Sequence, residues 1–183
     1  MRKVWDIPGG VHPPQNKLQS VQTSIARAGI PPLLVYPLSQ HIGAPAAPLV
    51  DVGDRVLKGQ MLAEARGFVS APVHAATSGE VTAIEDRPIA HPSGMTAPCI
   101  VVEPDGEDRW IEHAGLEDFR QAEPAELLSI IHDAGIAGMG GAGFPSAVKL
   151  SAQPDSPIDT LIINGTECEP YITADDMLMR ERP

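Results

Sequence analysis

Aromatic side chains are scarce in this chain, 4% of 183 residues, so any core must be filled by Ala, Val, Ile and Leu. Hydrophobic residues still make up 43%, which excludes wholesale disorder. Cysteine is scarcer still. Cys99 and Cys168 stand far apart without a CxxC spacing. Two thiols cannot ligate an iron–sulfur cluster, which takes four ligands, and the pair reads as reduced cytosolic thiols. Positive charge is short as well, with 13 Lys and Arg against 24 Asp and Glu, a net charge of −11. That balance argues against nucleic-acid binding, which needs clustered cations to neutralise phosphates. No apolar run approaches the roughly 18 residues a membrane span requires. Arg2 and Lys3 have no apolar stretch behind them, so the N-terminus does not read as a secretory signal.

What the chain has in quantity is turn formers, 17 glycines and 19 prolines. That favours a turn-rich β component over a helical bundle. Residues 1–38 read as an irregular segment, with turn signals at Pro8-Gly9-Gly10 and His12-Pro13-Pro14 and a short strand at Leu33-Leu34-Val35-Tyr36. Residues 39–104 read as one β unit of short strands at near ten-residue spacing, which suggests a small barrel or sandwich. Residues 105–123 read as a linker that opens on the polar stretch Asp105-Gly106-Glu107-Asp108-Arg109.

From residue 124 to 183 the pattern becomes α/β. An amphipathic helix is expected at 124–134, with Pro124 in its first turn and Gly135 at its end. A glycine-rich loop follows at 138–143, then a short helix near 145–152. Thr160-Leu161-Ile162-Ile163 reads as a buried strand that ends at Asn164-Gly165. The last residues are charged and helical in pattern, an odd place for a domain to end. The domain is therefore expected to continue beyond Pro183, and the strand to lack later neighbours here.

Two groups of motifs carry chemistry. The first is Val52-Gly53-Asp54-Arg55-Val56-Leu57-Lys58-Gly59-Gln60, followed by Ser70-Ala71-Pro72-Val73 and Ser78-Gly79-Glu80-Val81. These paired turns resemble the biotinyl/lipoyl barrel-sandwich family. Active members of that family carry a lysine at the tip of the central hairpin. The tip here is Arg66-Gly67-Phe68-Val69, which offers nothing to acylate. The barrel is expected to serve as structure or as a docking surface.

The second group is Gly138-Met139-Gly140-Gly141-Ala142-Gly143-Phe144-Pro145 and, further on, Asn164-Gly165-Thr166-Glu167-Cys168-Glu169. The first formally contains GxGxxG, yet it follows a helix and not a strand, so an ordinary Rossmann reading fails. Glycines still let a backbone approach a phosphate or flat ring closely, and Lys149 stands one turn into the next helix. The same loop read blandly is a packing loop that needs glycine for space. The acids at the strand end suit ribose hydroxyls or flavin heteroatoms, or are simply solvated surface.

Taken together, the two motifs resemble the RnfC family of bacterial Rnf electron-transport complexes, and more distantly the flavin-binding NADH subunit of respiratory complex I. The N-terminal Gly9-Gly10-Val11-His12-Pro13-Pro14 and the lipoyl-like stretch match the Rnf family only. The resemblance covers nearly the whole chain. It implies a mixed α+β fold, a lipoyl-like barrel-sandwich hybrid followed by the start of an α/β flavin/NADH-binding domain. It implies FMN and NADH as cofactor and substrate, with [4Fe-4S] clusters confined to a C-terminal part absent here. It implies a peripheral subunit on the cytoplasmic face of the bacterial inner membrane, partnered by NAD(H) and the other subunits of the Rnf-type complex.

By the same resemblance, Gly138, Gly140, Gly141 and Gly143 lie beside the isoalloxazine ring and Phe144 stacks on the dinucleotide. Lys149 and Asn164 contact flavin, and Glu167 and Glu169 lie near flavin and nicotinamide. Two departures from complex I weaken the parallel: Thr166 stands where an aspartate is usual, and Leu150-Ser151-Ala152 replaces aromatics after the lysine. A second function class stays open, an assembly module whose barrel docks on partner subunits and whose glycine loop only packs.

Overall fold

The structure is a computed structural model that describes residues 8–112, 115–139, 142–151 and 158–182. The chain divides into two units, Gly29–Pro157 and a second made of Met1–Ala28 with Ile158–Pro183.

The larger unit is built on two antiparallel sheets. One has the order β1-β7-β6-β3, from β1 (Leu34–Pro37), β3 (Arg55–Val56), β6 (Gly79–Pro88) and β7 (Thr96–Pro104). The other has the order β2-β4-β5, from β2 (Ala47–Pro48), β4 (Met61–Glu64) and β5 (Val73–His74). Strand β1 pairs with β7, Leu34 opposite Val102 and Tyr36 opposite Ile100, so the sheet takes in residues ahead of position 39. The buried cluster draws on both sheets, with Tyr36, Val56, Leu62, Ala63, Val73, Val81, Ile100 and Val102. Each Val or Leu so buried contributes on the order of 1.5–3 kcal/mol. Aliphatics do fill the core, and its one aromatic, Tyr36, accepts a hydrogen bond from the Ala76 amide at 2.9 Å. Burial pushes the Tyr36 phenol above its ordinary value, and that amide bond partly offsets the push.

A bulge aims β6 at the core. Val81 pairs with Val102 and Ala83 with Val101, so Thr82 is one residue too many for the ladder. In an unbulged strand Val81 and Ile84, three residues apart, would point to opposite faces. Bulging Thr82 out of the ladder brings Ile84, opposite Ile100, to the face that Val81 shares.

The polar stretch after β7 lies along the barrel. The Ser78 hydroxyl donates to Asp105 Oδ1 at 2.7 Å, and the Arg109 amide donates to the Ser78 oxygen at 2.9 Å. Lys58 Nζ pairs with Asp108 at 2.7 Å, and its backbone exchanges hydrogen bonds with Arg109 and Ile111. The Trp110 ring is 4.8 Å from that ammonium. Asp105 and Asp108 anchor the strap because short carboxylates reach nearby amides and hydroxyls. The Ser78 hydroxyl, the Glu107 amide and Arg109 hold the Asp105 carboxyl down at about 2.

Helix α1 (Pro124–Asp133) and helix α2 (Ser146–Leu150) complete this unit. Pro124 stands in the first turn of α1, and Gly135 follows its end with φ +68°.

The smaller unit holds helix α3 (Ala174–Glu181). The strand expected at 160–163 is not formed. Residues 158–168 have no strand pairing, and Leu161, Ile162 and Ile163 are 75%, 84% and 77% exposed. An apolar β-branched run has the composition of a strand, but a strand exists only through a partner ladder. Among the described residues nothing pairs with it. No helix among the described residues is long and apolar enough to cross a membrane.

Candidate functional site

The glycine loop joins α1 to α2, and both of its described ends are tied down. Its neck is an antiparallel bridge between Ala137 and Pro145, flanked by Gly138 N–H donating to Phe144 O at 2.8 Å and Ser146 N–H donating to Ile136 O at 2.9 Å. The far side is tied to the barrel, where Ile42 N–H donates to Gly143 O at 3.1 Å. Gly143 has φ +58°, and a Cβ there would lie 2.9 Å from both Gln40 O and His41 Cα. The requirement for glycine at 143 is thus close approach to the protein's own backbone, together with a left-handed conformation. Gly138 differs, because a Cβ there would meet only Phe144 backbone atoms, at 3.7 Å. Gly140 and Gly141 lie outside the described residues.

Phe144 and Lys149 come together, with the ammonium 6.0 Å from the ring centroid. Two clefts flank the loop. One, of about 690 Å³, takes in Val35, Ile42, His91, Ala142 and Gly143. The other, of about 560 Å³, takes in Gln40, His74, Gly135, Gly138 and Met139. Both fall in the size range of small-molecule sites.

Two histidines that sequence reasoning passed over border these clefts. His41 is buried, and its Nε2 accepts from Ala71 N–H at 3.1 Å. The geometry assigns the proton to Nδ1, which faces Ile42 O at 3.1 Å, so both ring nitrogens are satisfied in the neutral form. Burial pulls His74 below its ordinary value, against the opposing pull of Asp133. Nothing in the local sequence of either residue marks it, because the partners are backbone groups and side chains brought in by the fold.

The acidic turn belongs to the other unit. Asn164 Oδ1 accepts from Thr166 N–H at 2.9 Å, closing an Asx turn and leaving its amide hydrogens outward of that bond. Glu167 Oε1 accepts from the amides of Asp175 and Asp176 at 2.9 and 3.1 Å. It thereby caps α3 from outside the helix, where the Thr173 side chain makes no capping bond. Glu169 is exposed, and among the described residues its carboxylate makes no hydrogen bond or ion pair. A cleft of about 210 Å³ is lined by Glu169, Glu167, Cys168, Lys17, His12 and Val11. Sequence reasoning missed Lys17 and its neighbours. The signal was the Gly9-Gly10-Val11-His12-Pro13-Pro14 motif, which names no partner at the far end of the chain.

Of the residues singled out, Gly138, Gly143, Phe144 and Lys149 fall in one unit and Asn164, Glu167 and Glu169 in the other. Gly138 commits its N–H to Phe144 O. Gly143 is committed to packing, and Glu167 commits one carboxylate oxygen to α3.

Two antiparallel sheets around one aliphatic core, followed by a pinned glycine loop, define a barrel-sandwich hybrid in which Arg66-Gly67-Phe68-Val69 holds no lysine. Residues 5–107 match the family model described as the RnfC barrel sandwich hybrid domain, and residues 131–183 match the Nuo51 FMN-binding domain. The C subunit of the ion-translocating oxidoreductase complex of Vibrio cholerae serotype O1 (strain ATCC 39541) is 54% identical over 179 residues, covering 98% of this chain and 23% of that protein. The proteins of the same name from Serratia proteamaculans and Yersinia pestis bv. Antiqua are 51% and 52% identical, with 25% and 28% of their lengths covered. The chain belongs to the RnfC family, and it spans about a quarter of the length of these curated relatives.

Proposed function

We propose that this chain carries the barrel and the first part of the flavin site of a subunit that exchanges electrons between NADH and a flavin/iron–sulfur chain. The whole assembly would be a membrane-associated, ion-translocating NADH:ferredoxin-type oxidoreductase. The subunit would sit peripherally on the cytoplasmic face of the bacterial inner membrane and assemble with the other subunits of the complex. Its [4Fe-4S] clusters would be held outside these 183 residues.

The observation that supports this reading is the loop itself. It is pinned at its neck, where Gly138 N–H donates to Phe144 O, and at Gly143, and just past it the Lys149 cation lies 6.0 Å from the Phe144 ring centroid. Bound FMN would supply the means to take electrons from a two-electron hydride donor and release them singly. The chain's own part would be to approach the ligand with backbone at 138–143, stack Phe144, and set Lys149 against phosphate or reduced-ring charge. Asn164 would donate through its side-chain amide hydrogens, and Glu169 would accept on the nicotinamide side.

A specific contact favours a second reading. The glycine at 143 is accounted for by barrel backbone alone, as expected of a packing loop in an assembly module. The two readings part on flavin content and NADH oxidation of the full-length subunit. Gly141→Val should abolish flavin binding. Lys149→Ala should weaken it by about 1–3 kcal/mol, the worth of a charged hydrogen bond. Glu169→Gln should retain flavin and slow NADH oxidation. Normal flavin and normal turnover in Gly141→Val would make the assembly module the better account.

A further inference from the structure

The motif at residues 9–14 has no part in either sheet, and the segment behind it is engaged with the acidic turn. Lys17 Nζ donates to the carbonyl oxygens of Glu169 at 2.8 Å and Ile172 at 2.6 Å. Tyr171 N–H donates to Gln15 O at 2.8 Å, and the Ser20 hydroxyl donates to Tyr171 O. Residues 15–20 therefore hold the backbone of 169–172 by four hydrogen bonds.

The clamp falls where the turn most needs holding. Tyr171 has φ +70°, a left-handed conformation that a bulky residue keeps only when its surroundings over-determine it. Both of its backbone polar groups are fixed by the N-terminal segment. At the other end of the turn, Glu167 is tied to the start of α3. Between these anchors Glu169 has its carbonyl fixed and its carboxylate unengaged among the described residues, on the wall of the 210 Å³ cleft that Val11, His12 and Lys17 also line. An ammonium suits the clamping role. It carries three donors and no acceptor, so it can bridge two carbonyls at once.

We propose that Lys17 is a positioning residue for the acidic turn, fixing the backbone from which Glu169 presents its carboxylate, and that residues 11–17 form the opposing wall of the nicotinamide-side cleft. The second half rests on the reading of Glu169 given above; the clamp does not. The N-terminal segment is thus a working part of the dinucleotide end of the subunit, although the family match groups it with the barrel.

The test uses the full-length subunit with its flavin, with NADH as donor and ferricyanide as acceptor. Lys17→Met should raise KM for NADH about tenfold with kcat changed less than about twofold, as expected when ground-state binding geometry is lost. Lys17→Arg should recover most of that loss, and flavin content should stay at the wild-type level. In a Glu169→Gln background, Lys17→Met should add less than about a twofold further change, because the lysine acts through the glutamate. An equal KM increase in both backgrounds, or no increase, overturns the positioning role.

Amide exchange over residues 168–173 reads the clamp without any turnover. It should quicken at least about tenfold in Lys17→Met and measurably in the milder Ser20→Ala, which also covers the case of a Lys17 variant that does not fold. Unchanged exchange in both overturns the clamp. If the wild-type subunit does not oxidise NADH, the nicotinamide assignment falls together with the functional reading, while the exchange result still decides the clamp.

Discussion

The barrel and the acidic segment are held together by different physics. In the barrel, Leu62, Ala63, Val81, Ile100 and Val102 are almost fully buried, and each strand is fixed by a ladder and by the side chains behind it. From 158 to 182 no large apolar side chain is buried, and order comes from polar ties: Lys17 on two carbonyls, Glu167 on two amides, Ile25 N–H on Glu181. A core distributes its stability over many contacts, whereas a polar clamp concentrates it in a few removable ones. Of the residues expected to meet a ligand, Asn164, Glu167 and Glu169 lie in the segment held the second way, with the carboxylate at 169 left over among the described residues.

Truncation should expose this difference most strongly. Leu62→Ala should cost the barrel about 2–5 kcal/mol, from lost burial plus the residual cavity. Ile162→Ala, at an 84% exposed position, should stay within about 0.5 kcal/mol. Urea unfolding followed by circular dichroism would compare the two. An equal cost at both positions would mean that the 158–163 run is buried in solution and that the contrast is mistaken.

Next in size is the seam between loop and barrel. Gly143→Val puts a branched side chain at φ +58° and against Gln40 and His41 backbone, with a cost of about 1–3 kcal/mol from strain alone. Amide exchange at Ile42, whose N–H bonds to Gly143 O, should quicken in this variant. Unchanged protection there would show that the loop does not depend on the barrel.

What the sequence made legible follows the same division. The turns around Gly53, Gly59 and Gly79 are local events, written in a few adjacent residues, and they locate the strands of the barrel. Helix α1 announced itself through Pro124 and Gly135 in the same way. The strand at 160–163 did not materialise because its pattern states a need for neighbours and cannot supply them. The bulge at Thr82 was illegible for a related reason, since it answers to the register of β7. At the candidate site, residue types were readable but assignments were not. Gly143 looks like its fellow glycines until Gln40 and His41 arrive beside it, and Glu167 looks like Glu169 until α3 claims one of its oxygens.

Within the polar region, the α3 cap is a smaller target. Glu167→Ala should cost about 1 kcal/mol of local helix stability, the usual worth of a capping acceptor, and less in Glu167→Gln, which keeps an oxygen. Arg180, paired with Asp176 at 2.7 Å, would still support the helix. Carbon chemical shifts over 174–181 would report fraying at the first turn, with barrel resonances unmoved. If α3 keeps full helicity in Glu167→Ala, the capping bonds are incidental and both oxygens of Glu167 are available to a ligand.

The smallest expected effect sharpens the comparison from the barrel side, where one polar tie sits on an apolar scaffold. Asp105 titrates at about 2 in the fold, below its ordinary value of 3.8, because the Ser78 hydroxyl, the Glu107 amide and Arg109 all favour the carboxylate. A carboxyl with a depressed folded value contributes stability that is fully present above 3.8 and is lost as pH falls through about 2. Protonated aspartic acid is close in shape and charge to asparagine, so the stability difference between wild type and Asp105→Asn is the quantity to follow. It should be flat from neutral pH down to about 4 and then shrink towards zero near pH 2, because only the carboxylate is favoured by these partners. Urea unfolding at a series of pH values would supply the difference. Trp110 fluorescence, in a Trp5→Phe background, would report whether the strap detaches from Lys58 before the sheets open. A difference that stays constant below about pH 3 would mean that the carboxylate charge is not what holds residues 105–111 to the barrel. The hydroxyl and amide geometry, which asparagine can share, would then account for the strap.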